Sequence, residues 1–387
     1  MSVQTNEYKD YTIGLALVDL APVLLFLMSG LIMYSMYGSP LLLAGVIACF
    51  TGGLCKAVWK IIIVIKRKDF ASLTRAFHIL MPAGFILMIL SVPAGGKAAF
   101  SGLWRAVTMM PASVLFAAGF ALMCLMGYLG SHMDSSARSN WIEELINTLA
   151  QLAVLAGVIV VYFGTYYHAD IRALAALEDT KSVDVSEIAM DGANGWLFDG
   201  PGSDSALVFY PGAKVEAAAY APLMQEISAG GTDCYLCEMP LNFALLGEDA
   251  AETIRADEND KYDKWYAGGH SLGGVAAAMV AADAEEPDGT GAWDGLISLA
   301  SYPTAELSTP VLSIYGSEDG VLDPDKYSKT AADGLWPDDF TEKVIEGGNH
   351  AQFGDYGKQK GDGIPYIDPS GQQKETAEAV TGWIKGN

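Results

Sequence analysis

The chain has 387 residues, of which 51% are hydrophobic, and a net charge of −23 at pH 7. Residues 1–169 carry 10 Lys/Arg and 7 Asp/Glu, a net charge of +3, whereas residues 170–387 carry 13 and 39, a net charge of −26. An excess of acidic residues repels phosphates, so this composition argues against nucleic-acid binding. The asymmetry also indicates two regions that lie in different solvents.

Apolar segments of membrane-spanning length fill the first 169 residues. About 20 apolar residues are needed to cross a bilayer, and four of the five segments reach that length, while the third is shorter. We predict a multi-pass α-helical membrane domain over residues 1–169, with the lipid bilayer as its partner. The first segment is too long for a cleavable signal peptide and lacks its basic start. The five predicted spans are 11–37, 41–65, 76–92, 106–130 and 145–167.

The orientation of this domain follows from its basic loops, since short cytoplasmic loops are rich in Lys and Arg. The densest basic cluster, "KRKDFASLTR" at 66–75, follows the second span. With five spans, a cytoplasmic position for this loop places the C-terminal region outside the cytoplasm. Lys97 and Arg105 in the next outside loop weigh slightly against this. If the third segment does not span, the C-terminal region faces the cytoplasm instead.

Three charged residues, Asp19, Lys56 and Lys60, lie within or near the predicted spans. Charges inside a membrane often mark a transport pathway. Lys56 and Lys60, however, are one turn apart and near the basic end of their span, so both can extend toward the lipid headgroups. We therefore favour a structural role, with transport as the alternative.

Beyond a linker at 170–185, residues 186–387 alternate between strand-like and helix-like patterns. Such alternation predicts an α/β domain, with a mostly parallel sheet and helices on both faces. The predicted strands are 195–198, 206–210, 234–238, 265–268, 295–299, 311–315 and 342–345, and the predicted helices are 215–228, 248–256, 272–284, 326–334 and 373–385.

A candidate nucleophile lies between one of these strands and the helix after it. "KWYAGGHSLGG" contains Gly-x-Ser-x-Gly centred on Ser271, and strand–turn–helix is the setting of a nucleophile elbow. Gly269 and Gly273 flank the serine, where larger residues would clash in so tight a turn. Leu272 stands at the start of the helix, so its backbone N–H can stabilise an oxyanion.

The general base can be assigned by counting histidines. The chain has five, and three lie in or beside the membrane domain. His270 adjoins the serine and should point elsewhere on the elbow. His350 remains, in a loop after the last predicted strand, which is where the order serine, acid, histidine places the base.

The acid should follow a strand between the serine and this histidine. Asp319 comes after the strand at 311–315, and Asp323 and Glu318 are alternatives. A carboxylate there would orient the histidine and stabilise its charged form. A second oxyanion donor should come from the loop after an early strand, where Gly212 permits close approach and Ala213 supplies the N–H.

Cys234 and Cys237 form a Cys-x-x-Cys pair. Their spacing along a strand places the two thiols on opposite faces, and the sequence has no second pair to complete a zinc site. We therefore expect neither a metal nor a cofactor.

Five stretches of the second domain resemble the α/β-hydrolase fold family, in particular a bacterial subgroup of extracytoplasmic or membrane-anchored members. The resemblance covers residues 182 to 387 and implies an α/β-hydrolase fold. It implies a catalytic triad and an oxyanion hole at the same residues, namely Ser271, Asp319 and His350 for the triad and the amides of Leu272 and Ala213 for the hole. The stretches are "YPGAKVEAAAYAPL", "EMPLNFALLG", "GGHSLGG", "YGSEDGV" and "GGNHAQFGDYGKQKGDG".

These observations predict a serine hydrolase in the cell membrane that cleaves a small-molecule ester or related acyl bond through an acyl-enzyme. The same triad would also serve an acyltransferase. A membrane sensor or transporter with an ancillary or inactive hydrolase-like domain is a further alternative. Apolar residues near 239–246 are candidates for an acyl pocket, or for part of the core.

Overall fold

The chain folds into two compact units, residues 1–165 and residues 166–387. The computed structural model describes residues 11–66, 68–134, 136–202, 204–258, 260–283 and 293–386.

The N-terminal unit is helical. Five stretches within its described residues, α1 with α2, α3, α4, α6 and α7, are long and apolar enough to cross a membrane by length and composition. The fold class predicted for this region is therefore confirmed, and the short third segment belongs to the 24-residue helix α4. The helices are α1 (Ile13–Val18), α2 (Leu20–Tyr37), α3 (Pro40–Lys66), α4 (Ala71–Ala94), α5 (Gly96–Thr108), α6 (Ala112–His132) and α7 (Ala137–Gly164).

Helix α5 occupies a region predicted to be partly a loop and partly the start of the fourth span. It ends at Thr108, and α6 begins after Pro111, whose fixed φ suits the start of a helix. Large apolar residues are exposed on one face of α5, at the spacing typical of a helix that lies in a membrane interface. They are Phe100, Leu103, Trp104 and Val107.

A compact cluster of opposite charges lies inside the helical unit. Lys60 Nζ is 3.1 Å from Asp19 Oδ1 and 2.9 Å from Glu144 Oε1, and all three side chains are buried. Lys56 Nζ is 3.1 Å from the same oxygen of Glu144. Lys60 therefore does not extend toward the headgroups as predicted, because its ammonium group has two carboxylate partners, Asp19 between α1 and α2 and Glu144 on α7.

The C-terminal unit contains one sheet of eight strands within the described residues, in the order β1-β2-β4-β3-β5-β6-β7-β8. Strand β2 is antiparallel to its neighbours β1 and β4, and the other pairs are parallel. The strands are β1 (Asp184–Met190), β2 (Ala193–Asp199), β3 (Ser205–Tyr210), β4 (Asp233–Cys237), β5 (Lys264–His270), β6 (Gly295–Leu299), β7 (Val311–Gly316) and β8 (Phe340–Ile345).

Helices cover both faces of this sheet, as predicted. Successive residues of the buried strands point to opposite faces. Leu207 and Phe209 of β3 therefore join one apolar core with α9 and α13, and Ala206 and Val208 join the other with α10 and α11. The helices are α8 (Ile171–Ala175), α9 (Ala221–Ala229), α10 (Ala250–Asp257), α11 (Leu272–Asp283), α12 (Pro324–Ala332) and α13 (Pro369–Gly386).

Strand β1 was not found from the sequence. Its residues, "DVSEIAM", are half polar, and it pairs only with β2 at the edge of the sheet. An edge strand with one exposed face lacks the continuous apolar run that identifies a central parallel strand. Helix α8 and the start of β1 both fall within the segment predicted as a linker, 170–185.

Candidate active site

Three of the predicted site residues follow the carboxyl ends of parallel strands. Ser271 follows β5, Asp319 lies three residues after β7, and His350 lies in the loop after β8. Parallel strands end at the same edge of a sheet, so the topology brings these loops together there.

Ser271 sits in a strained turn between β5 and α11. Its φ is 54, in the left-handed region that non-glycine residues seldom occupy. Its N–H donates to the carbonyl of Leu299 at 2.9 Å, which ties the turn to the neighbouring strand β6. The Ser271 side chain is half-buried, so it is held at the sheet edge without being sealed from solvent.

Only glycine fits at the two flanking positions of this turn. A Cβ atom at Gly269 would lie 2.4 Å from the carbonyl carbon of Gly273, and one at Gly273 would lie 2.2 Å from the carbonyl oxygen of Tyr210. Both obstacles are backbone atoms, which cannot rotate away. The turn therefore packs directly against the end of β3, where the loop with Gly212 and Ala213 begins.

His350 and Asp319 form a buried pair. The Nδ1 atom of His350 lies 2.8 Å from Oδ2 of Asp319. The other carboxylate oxygen, Oδ1, accepts the N–H groups of Val321 and Leu322, each at 2.8 Å. The carboxylate is thus fixed by its own loop, and it fixes the imidazole in turn.

The two alternative acids lie elsewhere. Asp323 caps the start of α12 and accepts the N–H groups of Asp325 and Lys326. Glu318 accepts a hydrogen bond from the hydroxyl of Ser317 in an exposed contact. Of the three candidate acids, Asp319 is the one that the structure brings to His350.

Asp362, which was not among the predicted site residues, connects the loops of Asp319 and His350. Its carboxylate accepts four backbone N–H groups, from Gly320 at 3.1 Å, His350 at 3.2 Å, Ala351 at 2.8 Å and Gly363 at 2.8 Å. One side chain therefore holds both the loop that carries Asp319 and the loop that carries His350.

His270 was expected to point away from the site, but its ring lies against that of His350. The ring centroids are 4.5 Å apart. Burial, followed by the proximity of His350, holds the pKa of His270 well below its ordinary value of 6.5. Its Nδ1 lies 2.7 Å from the hydroxyl of Tyr220, which also accepts the N–H of Gly212 at 3.1 Å. Tyr220 therefore links this neutral histidine to the loop that carries Ala213.

The predicted oxyanion donors, the amides of Leu272 and Ala213, flank the elbow. Leu272 begins α11, and Ala213 lies between Gly212 and the left-handed residue Lys214, whose φ is 60. Partial burial lowers the pKa of the Lys214 amine. The N–H of Gly212 donates to Tyr220 and the N–H of Lys214 donates to Asn242, so Ala213 remains the candidate for the second donor in this loop.

The segment from Tyr167 to Asp170 forms backbone hydrogen bonds with the loops that follow β3 and β8. The N–H of Tyr167 donates to the carbonyl of Lys214 at 2.7 Å, and the N–H of Glu216 donates to the carbonyl of Tyr167 at 2.9 Å. The N–H of Asp170 donates to the carbonyl of Asp355, five residues after His350, at 2.8 Å. Residues that precede β1 thus touch the loops after β3 and after β8.

The two cysteines of the Cys-x-x-Cys pair lie on opposite faces of the sheet. Cys234 belongs to one apolar core and Cys237 to the other, and both are fully buried. Burial raises the pKa of each thiol to about 12. Among the described residues, no three His, Cys, Asp or Glu side chains are grouped so that they could hold a metal ion.

The eight-stranded sheet with its reversed second strand, the strained serine between β5 and a helix, and the acid–histidine pair at the carboxyl edge define an α/β-hydrolase domain. Residues 206–375 match the family described as Alpha/beta hydrolase family. The C-terminal domain of this chain belongs to that family and is the domain of a hydrolase.

Several solved structures are similar to this domain. An esterase/lipase from an uncultured bacterium is 14% identical, covers 55% of this chain and 89% of its own, and has a TM-score of 0.40. A dienelactone hydrolase from Anabaena variabilis is 15% identical, with a TM-score of 0.40. The match covers 53% of this chain and 98% of the dienelactone hydrolase. Carboxyl esterase 2 from the fungus Tuber melanosporum is 10% identical, with a TM-score of 0.42. The match covers 57% of this chain and 90% of the esterase. No curated protein matches the chain.

Proposed function

We propose that the protein is a membrane-anchored serine hydrolase that cleaves a carboxylic ester or related acyl bond through a Ser271–His350–Asp319 triad. The observation that carries this proposal is the buried His350–Asp319 pair, which lies at the same sheet edge as the strained Ser271. A serine needs a base to become nucleophilic, and the base needs a partner to hold its tautomer. In this proposal His350 is the base for Ser271, and Asp319 is the partner that holds the tautomer of His350.

In the first half of the reaction, Oγ of Ser271 bonds to the carbonyl carbon of the substrate while its proton passes to Nε2 of His350. The carbonyl electron pair moves onto oxygen, where the N–H groups of Leu272 and Ala213 stabilise the charge. When the tetrahedral intermediate collapses, the C–O bond to the leaving alcohol breaks. The alkoxide takes the proton from His350, and an acyl-enzyme remains.

Water completes the cycle. It gives a proton to His350 as its oxygen bonds to the acyl carbon, and the second intermediate releases the carboxylic acid and restores the serine. Asp319 stabilises the charged imidazole in both halves. His350 Nε2 is buried without a hydrogen-bond partner among the described residues, which supports a role in moving protons rather than in holding the fold.

Fluorophosphonate labelling tests the triad, because these reagents react with an activated serine and form a stable adduct. We expect the full-length protein in detergent to be labelled at Ser271, and we expect Ser271→Ala and His350→Ala to lose both the label and ester hydrolysis. Ser328→Ala, which alters an exposed serine on α12, is the matched control and should behave as wild type. An unlabelled wild type, or equal labelling of Ser271→Ala, would overturn the proposal.

We further propose that the hydrolase domain lies outside the cytoplasm. Five helices of spanning length and the basic loop between the second and the third support this orientation. Protease added to intact cells should then degrade the C-terminal domain. Protection of the domain in intact cells, with degradation after lysis, would show that it faces the cytoplasm.

A further inference from the structure

One loop beside the candidate site carries a bulky apolar residue in an unfavourable setting. The loop follows β4 and contains two 3₁₀ turns, Pro240–Asn242 and Ala244–Leu246. Its Asn242 carbonyl accepts the N–H of Lys214 at 2.7 Å, next to the proposed oxyanion donor Ala213. Its second turn packs against α11, the helix that begins after Ser271.

Leu241 is strained at this position. Its φ and ψ are 55 and 23, the φ of Asn242 is 53, and the N–H of Phe243 donates to the carbonyl of Pro240 at 3.1 Å. This is a turn with two left-handed central residues, which favour Gly, Asn or Asp. Asn242 satisfies that preference, whereas Leu241 does not.

Leu241 gains little from burial that could offset this strain. Its side chain is 57% exposed, and Leu246 in the next turn is 53% exposed. A glycine or an asparagine at 241 would relieve the strain and also remove an apolar side chain from water. Backbone strain of this kind clusters at functional positions, where the surrounding structure holds the strained residue in place.

The ends of the loop are held firmly, so Leu241 is not the tip of a loose segment. The N–H of Glu238 donates to the carbonyl of Asn194 at 2.8 Å. At the other end, the hydroxyl of Tyr210 donates to the carbonyl of Glu248 and accepts the N–H of Ala251. Tyr210 is also the residue whose carbonyl packs against Gly273 of the elbow. The loop is thus fixed relative to the nucleophile.

We propose that Leu241 determines substrate specificity, by contacting the apolar acyl chain of an ester substrate at the mouth of the site. This inference rests on the proposed function and narrows it to substrates with extended apolar acyl groups. Leu246 provides a second exposed apolar surface on the same loop. An acyl chain that covers Leu241 removes the apolar side chain from water, which compensates the strain upon binding.

The test compares full-length wild type with Leu241→Gly and Leu241→Asn on p-nitrophenyl butyrate and p-nitrophenyl decanoate. We expect kcat/KM for the decanoate to fall about tenfold relative to the butyrate, since one buried leucine contact is worth roughly that factor. The melting temperature should stay equal or rise, because Gly and Asn accept the left-handed conformation. Ile171→Asn, at an exposed apolar residue on α8, is the matched control and should leave the ratio unchanged.

A second measurement separates this inference from the proposed function. Labelling of Ser271 by alkyl fluorophosphonates does not depend on turnover. The ratio of the labelling rates with long-chain and short-chain reagents should be smaller in both Leu241 variants than in wild type. If labelling proceeds but the preference matches wild type, the role of Leu241 is refuted while the triad stands. If the variants melt at a lower temperature and lose activity toward short-chain and long-chain substrates equally, the role of Leu241 is structural. If wild type is not labelled, both proposals fail.

Discussion

The imidazole rings of His270 and His350 lie against each other, with their centroids 4.5 Å apart and their planes inclined by 51°. His270 is fully buried, and its Nδ1 lies 2.7 Å from the hydroxyl of Tyr220. The proposed general base is therefore backed by a second histidine that remains neutral. A charged ring at 270 would repel the imidazolium that the proposed mechanism forms on His350, so a neutral His270 suits that mechanism.

The depressed pKa of His270 predicts how stability depends on pH. Below pH 6.5 an unfolded chain binds a proton at this residue and the folded chain does not, so the free energy of unfolding falls as the pH drops. One such proton is worth about 1.4 kcal/mol per pH unit. Between pH 7 and pH 5, the melting temperature of His270→Asn should therefore decrease less than that of wild type.

Thermal unfolding of the full chain, followed by tryptophan fluorescence at several pH values, measures this effect. His168→Asn, at a largely exposed histidine outside the site, is the control variant for this measurement. Identical slopes for wild type and His270→Asn would contradict the assignment of this proton to His270.

Replacement of Asp362 should impair catalysis through the two loops that it holds. In Asp362→Asn one acceptor oxygen becomes an N–H₂ group that faces backbone N–H groups, so the positions of Asp319 and His350 loosen. We expect kcat to fall about tenfold or more with little change in KM, and stability to fall by about 1–3 kcal/mol.

Asp323→Asn is the comparison for this prediction. Asp323 also accepts two backbone N–H groups, but these belong to the start of α12 and not to the loop of His350. Because Asn caps a helix about as well as Asp does, this change should cost little stability and leave kcat unchanged. If both variants lose stability and kcat to the same degree, Asp362 has no specific role in positioning.

Gly273 should tolerate no side chain. A Cβ atom there would lie 2.2 Å from the carbonyl oxygen of Tyr210, and neither backbone can move without displacing β3 or the elbow. Gly273→Ala should therefore abolish fluorophosphonate labelling or prevent folding. Gly382→Ala, in open space on α13, should instead stabilise the protein by about 0.5–1 kcal/mol. Full labelling of a stable Gly273→Ala protein would refute this packing.

The thiols of Cys234 and Cys237 should be inert in the folded protein. Both are buried, and a pKa of about 12 leaves almost no thiolate at neutral pH. Iodoacetamide followed by peptide mass spectrometry should modify them only after denaturation. Rapid modification of either in the native state would indicate a reactive pair.

The residues proposed for catalysis could be predicted because their types are rare or their spacing is distinctive. His350 was identified because the C-terminal domain has few histidines, and Ser271 because Gly-x-Ser-x-Gly joins a strand to a helix. Asp362 gave no such signal, since it is one of many acidic residues in the domain and its partners are backbone amides. His270 was misplaced because the direction of its ring depends on Tyr220, which is fifty residues earlier in the chain.

The hydrogen bonds of Tyr167 and Asp170 have a practical consequence for protein engineering. These residues lie just after the last apolar helix, but their backbone groups brace the loops of Lys214 and Asp355. A soluble enzyme made by trimming the chain to the start of β1 would lack this support. A fusion to a different anchor should therefore keep the native chain from Tyr166 onward. A protease that cuts between 170 and 184 would separate Tyr167 and Asp170 from the domain whose loops they contact.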